Sequence, residues 1–162
     1  APTSGSISVN GKITDLYENK LWFKRLSYVD QFPYLAGETV SDLLNEDEKF
    51  KASSDDVWLL EKFSGLGFGT EFCMQDLIYQ GGLNFSGGQR QRLAFISAIK
   101  KSSGILLLDE VNAGLDDENE RKVFEIIDSI VDSRLVILIS HNPIKLERHK
   151  IRYLDIENAN KN

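Results

Sequence analysis

Ile105-Leu106-Leu107-Leu108-Asp109-Glu110 and Leu135-Val136-Ile137-Leu138-Ile139-Ser140-His141 are two aliphatic runs, each stopping abruptly at residues able to do chemistry. A run without polar alternation is expected of a strand buried on both faces, in a parallel sheet covered by helices. Between the runs, Val123, Ile126, Ile127, Ile130 and Val131 recur at helical spacing and predict an amphipathic helix from about 117 to 133. Strand, amphipathic helix and strand make a βαβ unit, expected to be right-handed, so the fold class is α/β.

Working outward, Ser86 opens a predicted helix that runs to about Lys101. Leu21, Phe23, Leu26 and Val29 predict a short helix turning into a strand that ends near Tyr28-Val29, with Gln31 just beyond it. Ser6 to Val9, Asn10-Gly11 and Lys12-Ile13 read as a small hairpin. From Glu38 to about Tyr79 the pattern becomes a compact helical insert. Val40, Leu43 and Leu44 form one face, and Val57, Leu59, Leu60 and Phe63 form another that Ser53 and Asp56 open. Ile151 to Ile156 reads as a last edge strand.

Composition narrows the function by exclusion. The 162 residues carry 19 Lys and Arg against 25 Asp and Glu, a net charge of −6, so no broad basic field is available and no nucleic-acid partner is expected. The single cysteine, Cys73, excludes an internal disulfide framework and a Cys-based zinc site. No apolar window is long enough to span a bilayer, and the chain as written is expected to be soluble.

Ligands of open parallel sheets collect at the carboxyl ends of the strands, where Asp109-Glu110, Ser140-His141 and Gln31 all fall. Asp109 after four aliphatics has the shape of a Walker B aspartate that holds Mg²⁺ beside a nucleotide. Glu110 could polarise an attacking water, and His141 could donate to a terminal phosphate. Ser86-Gly87-Gly88-Gln89 at a helix start offers backbone N–H groups and the helix dipole to an anion. Each has a plain alternative when taken singly: a polar turn after a strand, a structural histidine, a serine N-cap.

Taken together they do not stand alone. Phe85-Ser86-Gly87-Gly88-Gln89-Arg90-Gln91-Arg92, Ile105 to Glu110, Ala113-Gly114-Leu115-Asp116 and Ser140-His141 resemble, in order and spacing, the motifs of the ATP-binding-cassette (ABC) ATPases. The resemblance covers nearly the whole chain. It implies a P-loop NTPase-like parallel sheet, truncated at its N-terminus, with 1–37 and 102–162 as a RecA-like core and about 38–101 as a helical subdomain. It further implies that Gln31 is the glutamine that contacts Mg²⁺ and senses a transmembrane partner. Ser86, Gly87, Gly88 and Gln89 would be the signature motif that binds the γ-phosphate of ATP held by an opposite subunit. Asp109 would be the Walker B aspartate, Glu110 the catalytic base, Asp116 the D-loop aspartate and His141 the switch histidine. ATP and Mg²⁺ are the implied cofactors, and a second ABC ATPase domain in a head-to-tail dimer is the implied partner.

Gln31 and Ser86 are too close for the long coiled coils of chromosome-maintenance and break-repair members, which favours a transporter. Gly81 to Arg92 and Ala36-Gly37-Glu38-Thr39-Val40 are similar to exporters whose membrane and ATPase domains share one polypeptide, at the cytoplasmic face of the membrane. Gln80, Phe85 and Val111-Asn112 depart from the usual glutamate, leucine and Ala-Thr or Pro-Thr. Two alternatives remain: a soluble ABC-type ATPase of the repair or translation-factor class, and a non-catalytic module that supplies only a signature face.

A P-loop needs G-x-x-x-x-G-K-[ST], so that amides cradle the phosphates and the lysine reaches the β/γ oxygens. The chain contains none: Gly5 and Gly11-Lys12 are separated by five residues and followed by Ile13. Pro2 to Ile7 resembles the segment that follows the Walker A helix in the family. The chain by itself is therefore expected neither to bind ATP tightly nor to hydrolyse it.

Overall fold

The computed structural model describes residues 6, 8, 9, 11–13, 25–44, 73–101, 103–141, 144, 146 and 149–153. In chain order the elements are β1 (Ser8–Val9), β2 (Lys12–Ile13), β3 (Leu26–Val29), α1 (Val40–Leu44), α2 (Gly87–Lys100), β4 (Ile105–Asp109), α3 (Asp117–Ile130) and β5 (Leu135–Ile139). β1 and β2 pair antiparallel around Gly11, whose φ of +76° suits the turn that Asn10-Gly11 predicts. The helices expected before Leu26 and over residues 53–63 lie outside the described residues.

β3, β4 and β5 form a parallel sheet in that order, with Val29 opposite Leu108 and Leu108 opposite Leu138. The fold class is thus α/β, and β4 is the central strand of this sheet. One face carries Ser27, Val29, Leu106 and Leu108, all buried, with Val136 and Leu138 packed against them. Burying a leucine such as Leu106 or Leu108 contributes about 1.5–3 kcal/mol. The same apolar cluster includes Leu93, Phe95, Ile96 and Ile99 of α2, Val123, Ile126, Ile127 and Ile130 of α3, and Val40, Leu43 and Leu44 of α1. Ser97 Oγ donates to the Leu43 carbonyl at 3.2 Å, fastening α1 to α2.

The expectation that both aliphatic runs are buried on both faces is corrected. Leu135, Ile137 and Ile139 of β5 are 58%, 45% and 51% exposed, and Tyr28 lies on the same open side of β3. An unalternating run reports strands whose two faces are both apolar. It does not report what covers the second face, and no described residue covers it here. The edge strand expected from Ile151 is also corrected: residues 151–153 have no strand structure, and 154–156 lie outside the described residues. α3 ends at Ile130, short of Ser133, because a turn over 131–133 follows it, with the Ser133 N–H and Oγ both donating to the Ile130 carbonyl.

Both long helices are capped as their sequences specify. Ser86 Oγ accepts from the Gln89 N–H at 3.2 Å and Gln89 Oε1 accepts from the Ser86 N–H at 2.8 Å, a complete capping box. At the other end, Arg134 Nη1 donates to the carbonyls of Ile99 and Lys101, and burial holds its guanidinium below the ordinary value. Asp116 caps α3 by accepting from the Asn119 N–H at 2.8 Å.

His149 joins the chain beyond β5 to α3. Its Nδ1 lies 2.6 Å from Asp128 Oδ1 and its Nε2 lies 3.0 Å from Asp132 Oδ1. Carboxylates accept only, so both contacts are satisfied together by an imidazolium that donates from each nitrogen. The hydrogen bond with Asp128, then that with Asp132, raises the His149 pKa above its ordinary 6.5. A raised folded-state value means that the stabilisation is fully present below the unfolded value and disappears as pH climbs through the folded one. The thermal midpoint of the wild type is therefore expected to fall relative to that of His149→Gln as pH rises from about 6.5. A difference that does not change with pH would disprove the clamp.

Candidate functional site

The parallel register brings the ends of β3, β4 and β5 level, so the residues that follow each strand meet at one edge. Glu110 is the centre of this edge. His141 Nε2 donates to its Oε1 at 2.6 Å and Gln31 Nε2 donates to its Oε2 at 3.1 Å. The Glu110 side chain is largely shielded, whereas that of His141 is 90% exposed. Asp109, one residue earlier, points to the other side of the strand, where Tyr28 donates to its Oδ2 at 3.4 Å. Desolvation first, and then the carboxylates of Asp30 and Asp109, raise the Tyr28 pKa, so its phenol stays protonated as a donor.

The Glu110 backbone is unusual, with φ at +52°. A non-glycine residue in the left-handed region costs about 1–2 kcal/mol, so the surrounding bonds must hold it there. Its N–H donates to the Ile139 carbonyl at 3.0 Å, and its own carbonyl accepts from the Ala113 N–H at 2.9 Å and from Gln91 Nε2 at 2.8 Å. Asn112, buried in the same turn, donates to Glu120 Oε1 at 2.7 Å and accepts from Ser140 Oγ at 3.3 Å. The turn that carries Glu110 is thereby tied to α2, α3 and the end of β5.

The segment after Gln31 is anchored to the stretch before α2. The Leu35 N–H donates to the Gly81 carbonyl at 3.1 Å, and the Tyr34 ring lies so close to Gly81 that a Cβ there would come within 2.2 Å of it. Gly82 is similarly confined by Leu35. With φ of +72° and +95°, Gly81 and Gly82 adopt a backbone that a side chain would strain, and a Cβ at either would force the Tyr34 ring or the Leu35 side chain to shift. Around this anchor Phe32, Tyr34, Tyr79 and Leu83 are exposed aromatic and aliphatic surface.

Of the residues singled out from the sequence, Gln31, Glu110 and His141 converge, with Asp109 adjacent. Ser86, Gly87, Gly88 and Gln89 form the N-terminal turn of α2, where a Cβ at Gly87 would meet nothing within 4 Å. Asp116 spends its carboxylate on the cap of α3, bonding the Asn119 backbone and side-chain amides. Sequence reading missed Gln91, Asn112 and Tyr28 as partners of the site. A signal existed for Gln91: it occupies the buried face of α2 in line with Phe95, a polar residue in an apolar stripe.

Comparison with known proteins bears on the family and the fold. The family profile described as ABC transporter matches residues 1–113. The multidrug resistance ABC transporter ATP-binding and permease protein of Lactococcus lactis subsp. cremoris is 30% identical over 146 residues, covering 86% of this chain and 24% of that protein. The ATP-dependent lipid A-core flippase of Vibrio parahaemolyticus is 28% identical over 151 residues, covering 90% of this chain and 25% of the flippase. A solved structure described as a bacterial Atm1-family ABC exporter with ATP bound matches with a TM-score of 0.69 at 22% identity, over 87% of this chain and 25% of that one. That likeness speaks to the fold. The chain spans about a quarter of the length of these proteins.

Proposed function

This chain belongs to the ABC transporter family, and from that premise we propose that it is part of the nucleotide-binding domain of an exporter-type ABC transporter, which couples ATP binding and hydrolysis to transport. The observation that carries the reading is the Glu110 carboxylate held by His141 at 2.6 Å and Gln31 at 3.1 Å beyond three parallel strands, next to Asp109. A carboxylate so held is a proton acceptor aimed by its neighbours, as a general base needs to be.

The donor set suits a nucleotide-borne Mg²⁺. Among the described residues no group of three or more His, Cys, Asp or Glu is arranged for a metal. Mg²⁺ commonly keeps several waters and takes one or two carboxylates plus substrate phosphates; Asp109 would supply a carboxylate and Gln31 its amide oxygen. So held, the ion would neutralise charge on the phosphate oxygens. Glu110 takes a proton from the attacking water as its oxygen bonds the terminal phosphorus and the bond to the bridging oxygen breaks. His141 turns its Nε2–H from Glu110 to a phosphate oxygen. The open turn at Gly87-Gly88 would offer backbone N–H groups to the phosphate of the opposite site in a head-to-tail dimer.

In this reading, residues 1–37 and 102–162 belong to the core, and about 38–101 to a helical subdomain. The exposed Phe32, Tyr34, Tyr79 and Leu83 beside Gln31 would face the transmembrane part of the same polypeptide at the cytoplasmic side of the membrane. No helix among the described residues is long and apolar enough to cross a membrane.

The test is steady-state MgATP hydrolysis by the intact protein and its His141→Ala variant. Removing one transition-state donor is expected to lower kcat about a hundredfold or more. Hydrolysis at the wild-type rate in the variant, or none in the intact wild type, would overturn the reading.

A further inference from the structure

We infer that Gln91 is a positioning residue that holds Glu110 in its working orientation and ties it to the nucleotide-facing end of α2. This rests on the reading of Glu110 as the base.

The chemistry of the contact is specific. Gln91 is 8% exposed, and its Nε2 donates at 2.8 Å to the Glu110 carbonyl across a separation of 19 residues. That carbonyl already accepts from the Ala113 N–H at 2.9 Å, so the amide side chain supplies its second hydrogen bond. Both bonds fix the peptide that follows Glu110, at a residue whose φ of +52° disfavours any side chain. The direction of the carboxylate follows from that backbone angle. With the Gln91 donor gone, the turn is free to relax toward the right-handed region, and the carboxylate moves off His141 and Gln31.

Gln91 also belongs to the helix that the Ser86–Gln89 capping box opens, about one and a half turns further along. Arg90, its neighbour, bonds the Phe85 carbonyl at 2.8 Å and the Gly82 carbonyl at 3.3 Å, fixing the start of α2 to the Gly81-Gly82 anchor. A displacement of the first turn of α2 therefore reaches the Glu110 peptide through a single side chain.

The experiment uses Gln91→Met, which keeps the volume and removes the donor, in the intact protein beside wild type and Glu110→Gln. Misplacing a reacting group by about 1 Å costs about a hundredfold, so kcat is expected to fall by about 10- to 100-fold. The KM for MgATP and the thermal midpoint should stay at wild-type values. Hydrogen exchange without nucleotide gives a second readout: the Ala113 amide, which shares the Glu110 carbonyl, should exchange faster, and the β5 amides should not. With Glu110→Gln inactive, a Gln91→Met kcat within about twofold of wild type would overturn the positioning role alone. So would a loss that tracks a fall in thermal midpoint or a general rise in exchange. Full activity in Glu110→Gln would instead remove the base itself, and this inference with it.

Discussion

Glu110→Gln in the intact protein is expected to lower MgATP turnover by about 10²- to 10⁴-fold, the range that general-base catalysis supplies, while nucleotide binding persists. In free energy this is about 3–5 kcal/mol of barrier. Glutamine matches glutamate in shape, so the turn held by Ile139, Ala113 and Gln91 has no steric reason to change. An amide oxygen can still accept from Gln31 or His141, and the site remains assembled. What disappears is the capacity to accept a proton. Single-turnover hydrolysis, measured beside equilibrium binding of a fluorescent nucleotide, separates the two effects. Unchanged hydrolysis would remove Glu110 from the base role and leave its left-handed backbone without a functional reason.

The contrast with Ser86 shows how the sequence carries two messages at one position. Its capping box with Gln89 is complete without any ligand, so the structural alternative and the phosphate-binding one describe the same residues. The serine fixes where α2 begins, and the beginning of α2 is what an anion would meet.

The βαβ unit was legible because period carries it: aliphatic runs for β4 and β5, a helical stripe for α3. The convergence of Gln31, Glu110 and His141 was legible too, since parallel strands align their carboxyl ends whatever the loops contain. The partners that hold Glu110 were not. Gln91 reaches a backbone carbonyl 19 residues away, and Asn112 bridges Ser140 and Glu120, contacts that no spacing rule encodes. The Asp128–His149 clamp is similar: a carboxylate inside the buried stripe of α3 marks a missing partner, but nothing in the sequence names it. The open face of β5 erred the other way, because apolarity on both faces says nothing about what lies against them.

The 162-residue chain on its own is expected to give no micromolar binding of MgATP in a calorimetric titration. The sequence contains no P-loop, so the amide cradle and lysine that grip the β- and γ-phosphates in the family are missing from it. What remains is the N-terminus of α2, the carboxylates of Asp109 and Glu110 and the exposed His141. A helix N-terminus contributes about 0.3–1 kcal/mol to an anion at an exposed site, and up to about 2 kcal/mol when partly buried. Micromolar affinity requires about 8 kcal/mol. The net charge of −6, with Asp109 and Glu110 side by side, adds repulsion toward a polyphosphate. In the proposed head-to-tail arrangement, the Ser86 turn would serve the opposite site, so two copies of this sequence would still lack a P-loop in both sites. Micromolar heats from the chain alone would mean that its own residues assemble a phosphate site, and would end the half-site reading. Absence of heat, together with binding by the intact protein, would place the missing grip outside these residues and leave to them the base, the switch histidine and the signature turn.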